Sequence, residues 1–215
     1  MTRWATFDCY GTLIDWNGGI RAELERLWPD EDAEKLLHRY HDLEQEVERE
    51  EPGLPYREVM RRVLAQLGDV PPGEEDALGA SLPSWRMFPE VRASLEEARS
   101  RGWSLAILSN TDRDFIEASK VTIGVPFDET VVASEIGSYK PATRHWEEFY
   151  ARTGADHGRH VHVAQSMFHD IVVAKELGLP TVWINRLGEH YDTTPTRELP
   201  DLERLPEALD DLVPA

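Results

Sequence analysis

The sequence predicts an α/β protein: a doubly wound parallel sheet that is begun by one strand, interrupted by an all-helical insert and then completed. Three observations predict it. The run Trp4 to Phe7 is strand-like and stops at a polar turn, Asp8-Cys9-Tyr10-Gly11-Thr12. From residue 16 to 85 no strand signal appears, only apolar stripes at helical spacing. After Pro89 short apolar runs alternate with helical segments, the pattern of parallel strands covered on both faces.

The elements follow in order. Ile20, Leu24, Leu27 and Trp28 share one face of a helix over 20–28, which Pro29 ends. Leu36, Leu37, Tyr40, Leu43 and Val47 form the stripe of a long charged helix over 31–50. Glu51-Pro52-Gly53-Leu54-Pro55 breaks it, a helix over 56–67 follows, and a short one lies between Gly73 and Leu82. Beyond the insert, strands are expected at 103–108, 130–133, 160–164 and 180–184. Helices are expected at 90–101, 113–119, 143–153, 169–177 and 205–212. The expected division is a core of 1–15 plus 86–215 and a helical cap of 16–85. A cap rooted after the first strand lies over the carboxyl ends of the strands, where open α/β sheets bind ligands, and can exclude water.

Several polar groups fall just past strand ends: Asp8 after the first, Ser109 and Asn110 after the second, Gln165 and Ser166 after the fourth. Asp8 can act as a nucleophile through a covalent ester, with Gly11 allowing the tight turn behind it. Thr12 is spaced to bond that carboxylate or to cap the next helix. Lys140, in the loop before Pro141, can hold Asp8 ionised and neutralise an anion. Asp170 can cap a helix or orient a water. Each alone reads equally as a turn, a cap or a solvated surface charge; their common placement at strand ends sets them apart.

Asp8-Cys9-Tyr10-Gly11-Thr12-Leu13, Leu108-Ser109-Asn110, Ser138-Tyr139-Lys140-Pro141 and the segment through Asp170 resemble the four ordered motifs of the haloacid dehalogenase superfamily. The resemblance spans nearly the whole chain and implies a Rossmann-like core. Trp183-Ile184-Asn185-Arg186 is similar to its dehalogenase branch. Phosphatases of the superfamily carry a second Asp two residues after the nucleophile and an acidic Mg²⁺ ligand after the fourth strand. Here those places hold Tyr10 and Gln165.

A hard cation wants several oxygen ligands, usually with carboxylates. The expectation is therefore no metal and no cofactor. The implied reaction is hydrolysis of a small 2-haloacid through an Asp8 ester, with Asp170 and Ser166 helping the water. The resemblance further implies that Thr12 and Lys140 position Asp8, that Ser109 and nearby amides hold the substrate carboxylate, and that Asn110 cradles the halide. Tyr10 and Trp16 would form apolar walls.

The sequence also departs from that branch. Its cap Arg is replaced by Glu44, its Asn after the fourth strand by Met167, and its Tyr near the Lys by Trp146. Arg39, five positions from Glu44, should face elsewhere. Two other readings stay open: a phosphatase with an altered metal site, and a non-catalytic relative that binds a small anion. His38, His41, His160 and His162 form no spaced metal motif.

Composition limits the partners. The 215 residues carry 23 Lys and Arg against 41 Asp and Glu, a net charge of −18. Such acidity argues against nucleic acid and against an anionic membrane surface. One cysteine, Cys9, excludes an internal disulfide and a thiolate zinc site. No apolar run reaches membrane length, and no signal-peptide pattern precedes the first strand, so a cytoplasmic location is expected. The resemblance implies a homodimer.

Overall fold

The computed structural model describes residues 2–215. The first strand, β1 (Arg3–Phe7), is followed by four helices: α1 (Trp16–Leu27), α2 (Ala33–Glu50), α3 (Tyr56–Leu67) and α4 (Ala77–Ser81). Then come α5 (Val91–Ser100), β2 (Trp103–Ser109), α6 (Arg113–Ile123), β3 (Glu129–Val132), α7 (Ala133–Ile136) and α8 (Arg144–Thr153). The chain ends with β4 (His160–Ala164), α9 (Val172–Glu176), β5 (Thr181–Ile184), β6 (Arg197–Leu199) and α10 (Leu205–Leu212). Among the described residues the sheet has six strands in the order β3-β2-β1-β4-β5-β6, every pair parallel. The fold class is the doubly wound α/β sheet that the alternation of strands and helices predicts.

β1 lies in the middle of that sheet, with Ala5 opposite Leu105 on one side and Val161 on the other. Strands buried on both faces carry apolar residues at successive positions, as β2 does. Leu105 and Ile107 join the larger core, which runs on into the α1–α4 helices, while Ala106 and Leu108 pack with Trp146 and Phe149 on the other face. Full burial of a Leu or Ile contributes about 1.5–3 kcal/mol. These two side-chain layers fix the register of β2, and through it the height at which Ser109 emerges.

The chain leaves the sheet and returns to it side by side. Asp15 donates its N–H to the Arg86 carbonyl, and Phe88 donates to the Leu13 carbonyl, at 2.8 and 3.1 Å. A second tie comes from Asp112. Its carboxylate accepts from the N–H groups of Tyr56 and Arg57 at 3.0 and 2.9 Å, capping α3 from the sheet side. Pro55, which precedes α3, offers no cap of its own.

The elements depart from expectation in four places. α1 begins at Trp16 rather than 20, because Asp15 caps it by accepting from Gly18 N–H at 2.9 Å. The pair Gly18-Gly19 weakens the helical pattern there, yet Gly19 lies so close to the Trp85 ring that a Cβ would sit 2.4 Å from it. The helix expected over 169–177 is a π turn, Met167–Ile171, followed by the short α9. The short α7 and the edge strand β6 were not foreseen: Arg197-Glu198-Leu199 carries no apolar run and sits largely exposed. The short helix expected between Gly73 and Leu82 is present as α4, followed by a 3₁₀ turn.

Candidate active site

The C-terminal end of β1 delivers Asp8, whose N–H still bonds the Val163 carbonyl of β4 at 3.1 Å. The chain then turns sharply, with Leu13 and Ile14 both donating to the Cys9 carbonyl. Gly11 takes φ +87° in that turn, and a Cβ there would come within 3.2 Å of the Gln165 side-chain oxygen. The turn folds Thr12 back so that its hydroxyl donates to Asp8 Oδ2 at 2.9 Å while accepting from Gln165 N–H at 2.9 Å.

The other Asp8 oxygen accepts from Lys140. The Lys140 ammonium donates to Asp8 Oδ1 at 2.9 Å, to Asp170 Oδ1 at 2.7 Å and to the Leu108 carbonyl at 2.8 Å. All three of its protons are therefore used, and its side chain is 1% exposed. Asn110 holds this lysine by its backbone: it accepts from Lys140 N–H at 2.6 Å and donates to the Lys140 carbonyl at 3.0 Å.

Asp170 lies in the π turn, a distortion that often marks functional sites. Ser166 caps that turn by accepting from His169 N–H at 3.1 Å, so Asp170 is free of the capping role that its position suggested. Asp170 Oδ1 instead meets His162 Nε2 at 2.9 Å. Behind His162 runs a buried chain. Its Nδ1 lies 2.8 Å from the Thr6 hydroxyl, which lies 2.7 Å from His160 Nε2, and His160 Nδ1 lies 2.6 Å from the Tyr150 hydroxyl. If His162 donates to the Asp170 carboxylate, each member can accept from the next, with Tyr150 as the outermost donor.

The electrostatics follow from burial and one shared cation. Burial pushes the Lys140 ammonium down, but Asp170 and Asp8 outweigh it, so its pKa lies above the ordinary value. Burial pushes Asp170 up, but Lys140 and the His162 hydrogen bond hold it at about 2. Asp8 differs: burial raises it, the neighbouring Asp170 charge raises it further, and Lys140 only partly offsets them. Lys140 lies on Asp8 as expected and lowers it, while burial and Asp170 leave the net value above the ordinary one. One ammonium serves two carboxylates.

These groups form one end of a cavity of about 500 Å³, a size suited to a small ligand. Asp8, Tyr10, Ser109, Asn110, Lys140 and Asp170 line it from the sheet side. Trp16, Ser166 and Gln165 also face it. Of the residues singled out in the sequence for catalysis or binding, Thr12 alone stands back from this lining, and it reaches the cavity through Asp8. Ser109 Oγ is buried without a hydrogen-bond partner. Asn110 gives one amide N–H to the Lys140 carbonyl, and the Tyr10 hydroxyl turns to Ser119 at 3.0 Å while its side chain lines the cavity.

The helical side of the cavity carries Glu44, which the sequence marked as standing in place of a cap Arg, and beside it Glu48 and Tyr56, which the sequence did not single out. Glu44 and Glu48, one turn apart on α2, are both buried and line it, with Tyr56 and His41 beside them. Glu44 Oε1 accepts from Tyr56 at 2.6 Å and Tyr40 at 3.3 Å, and Trp16 donates to the Tyr56 hydroxyl at 3.1 Å. Burial pushes Glu44 up to about 7, with the two phenols working against it. Burial and the Glu44 charge raise Glu48 well above its ordinary value. Its nearest basic atom, His169 Nε2, is 3.9 Å away, and burial lowers that imidazole to about 4. Arg39 and Arg57 supply nothing here. Arg39 donates to the carbonyls of Gln66 and Leu67, and Arg57 pairs with Asp76 and Asp114.

Among the described residues no cluster of three or more His, Cys, Asp or Glu is disposed to hold a metal ion. None of their helices is long and apolar enough to cross a membrane.

Comparison with known proteins agrees with this architecture. The chain is 29% identical to the (S)-2-haloacid dehalogenase of Pseudomonas sp. (strain YL), over 94% of this chain and 91% of the relative. It is also 29% identical to the phosphoserine phosphatase of Thermus thermophilus, over 72% of this chain and 66% of that protein. The solved L-2-haloacid dehalogenase of Xanthobacter autotrophicus, with chloropropionic acid covalently bound, superposes with a TM-score of 0.84. That match covers 97% of this chain and 98% of the other at 20% identity, and it speaks for the fold. The family model of the haloacid dehalogenase-like hydrolases matches residues 2–178, and this chain, with its carboxylate-bearing turn after a central strand, belongs to that family.

Proposed function

We propose that the protein is a hydrolytic dehalogenase of small 2-haloacids that works through an ester on Asp8 and needs no metal. The observation that carries this reading is the Asp8 carboxylate, held by Thr12 on one oxygen and Lys140 on the other at the end of the cavity. A carboxylate fixed at both oxygens has lost its rotational freedom before substrate arrives, which lowers the barrier to in-line attack. In this reading residues 1–15 and 86–215 form the core and 16–85 the cap that closes over it. The extensive match to the Pseudomonas (S)-2-haloacid dehalogenase supports the reaction class.

An Asp8 oxygen bonds to the halogen-bearing carbon as the carbon–halogen bond breaks, and the halide leaves with the bonding pair. Water then adds to the Asp8 side-chain carbonyl carbon and gives its proton to Asp170. The ester bond breaks, the departing oxygen takes the proton back from Asp170 to give the 2-hydroxy acid, and Asp8 is regenerated carrying one oxygen from water while the second water proton passes to solvent. Lys140 stays in place as the cation beside both carboxylates throughout. Ser109, buried and unpartnered, offers a hydroxyl to the substrate carboxylate. Tyr10 in place of a carboxylic acid suits a leaving group that needs no proton.

Single turnover in heavy-oxygen water tests the ester. The label is expected in Asp8 before it enters product, with halide released from 2-chloropropionate and no phosphate released from phosphate esters. Label in product alone would show direct attack by water and end the ester mechanism.

A further inference from the structure

The cations at the cavity are already occupied. Lys140 is held by Asp8 and Asp170, Arg186 by Glu90 at 2.6 Å, and Arg21 by Glu34. The anions are not: among the described residues, no Lys or Arg forms an ion pair with Glu44 or Glu48, which line the same cavity, and Lys140 acts on Glu48 only at longer range. Two buried carboxyl groups one helical turn apart cost stability unless a counter-charge meets them. No hydrogen bond engages Glu48, although it is 9% exposed and faces the cavity.

A second, independent feature surrounds them. Trp16 and His41 stack at 4.7 Å between ring centroids, and Tyr56 joins them along the wall. Aromatic side chains lining a cavity beside carboxylates suit an ammonium group, which both attract. Ser109, buried and without a partner, lies on the opposite, sheet-side wall as a donor. The cavity therefore offers a hydroxyl donor near Asp8 and an acidic, aromatic wall across from it.

We infer that the substrate is a 2-haloacid whose far end carries an ammonium group, with its carboxylate toward Ser109 and its cation against Glu44, Glu48 and the Trp16–Tyr56 wall. This inference rests on the dehalogenase reading for its reaction and on the cavity wall for its specificity. A cation at the wall gives both carboxyl groups a counter-charge and draws them into the ionised state. In its absence, burial keeps them protonated over a wider range of pH.

The test uses a matched pair in which nitrogen and carbon exchange places without changing shape. γ-(Trimethylammonio)butyrate and its tert-butyl isostere are titrated into the protein by calorimetry at pH 8, so binding is read without turnover. The cationic member is expected to bind at least about tenfold more tightly, from cation–aromatic and charge attraction together. Glu44→Gln and Glu48→Gln, which preserve size, should bring the two ligands to within about twofold. Equal affinity in the wild type, or a preference for the neutral ligand, overturns the inference whatever the variants do. The α-chloro forms of both compounds then separate this inference from the reaction. Halide from both at equal efficiency sustains the dehalogenase and sinks the cation wall. Tight cation binding with no halide from any haloacid does the reverse.

Discussion

Lys140 Nζ lies closer to Asp170 than to Asp8, 2.7 Å against 2.9 Å, and the two carboxylates respond in opposite directions. Asp170 is drawn well below its ordinary value, whereas Asp8 is left above its own. A carboxylate kept more basic is the better nucleophile once ionised, because nucleophilicity falls as pKa falls.

Replacing the shared cation should therefore harm both rate and fold. Lys140→Met should lower turnover by about a hundred- to a thousandfold, the usual effect of removing one fixed charge from a site. The sign for pH is set by Asp8. Losing its one neighbouring cation among the described residues raises its pKa further, so the acid limb of the pH–rate profile should move to higher pH. Leaving two buried carboxylates unpaired should also cost about 3–5 kcal/mol in urea unfolding. Full activity with an unmoved acid limb would make Lys140 a bystander.

The chain behind Asp170 should act on the second chemical step alone. His162→Phe removes one hydrogen bond to a charged group, worth about 1.5–3 kcal/mol, or roughly ten- to a hundredfold in rate. The first halide equivalent should appear at the normal rate while ester on Asp8 accumulates, visible by mass spectrometry of the intact protein. Thr6→Val, which leaves His162 in place, should give a weaker version of the same pattern. Slowed halide release in either variant would argue against this division of labour.

Stability should depend on pH through the helical wall. A group whose folded pKa is raised contributes stability fully present below its ordinary value and lost as pH rises through the folded value. Glu44 spans the window from its ordinary 4.5 to about 7, and Glu48 extends the same trend upward. Glu44→Gln cannot titrate, so its melting temperature relative to wild type should climb between pH 5 and pH 8. A constant difference across that range would show Glu44 to be solvated.

Activity should survive excess EDTA, and added Mg²⁺ should not raise it. Mg²⁺ sheds water reluctantly and asks for carboxylate ligands. Here Tyr10 turns its hydroxyl to Ser119, Gln165 stands where a ligand would be, and Lys140 already occupies Asp8 Oδ1. Loss in EDTA that Mg²⁺ restores would favour phosphoryl transfer instead.

How legible this was depended on the kind of signal. Asp8, Ser109 and Ser166 could be placed from sequence because a strand ending in a polar residue fixes where that residue emerges. β2 announced itself by its unbroken apolar run. β6 did not, since Arg197-Glu198-Leu199 owes its place to pairing with β5 rather than to its own composition. His160 and His162 carry no local signal because their meaning is tertiary: alternate residues of β4 share one face, and only pairing with β1 brings both to Thr6. Glu48 is hidden for a related reason. On a charged helix a glutamate reads as solvated, and nothing local says that its turn of α2 faces a cavity.

The central place of β1 has a consequence for how the protein is made. Roughly 150 residues separate it from β4, on the order of ten to thirty seconds of synthesis at roughly 5–20 residues per second. Throughout that interval β1 lacks one or both of its neighbours, and α1 to α4 are complete by about its midpoint. Lys140 emerges before β4, and Asp170 only after it. A nascent chain stalled before β4 would thus carry Asp8 at the end of a strand open on its β4 side, and ribosome-bound fragments of that length should be inert and protease-sensitive at their start.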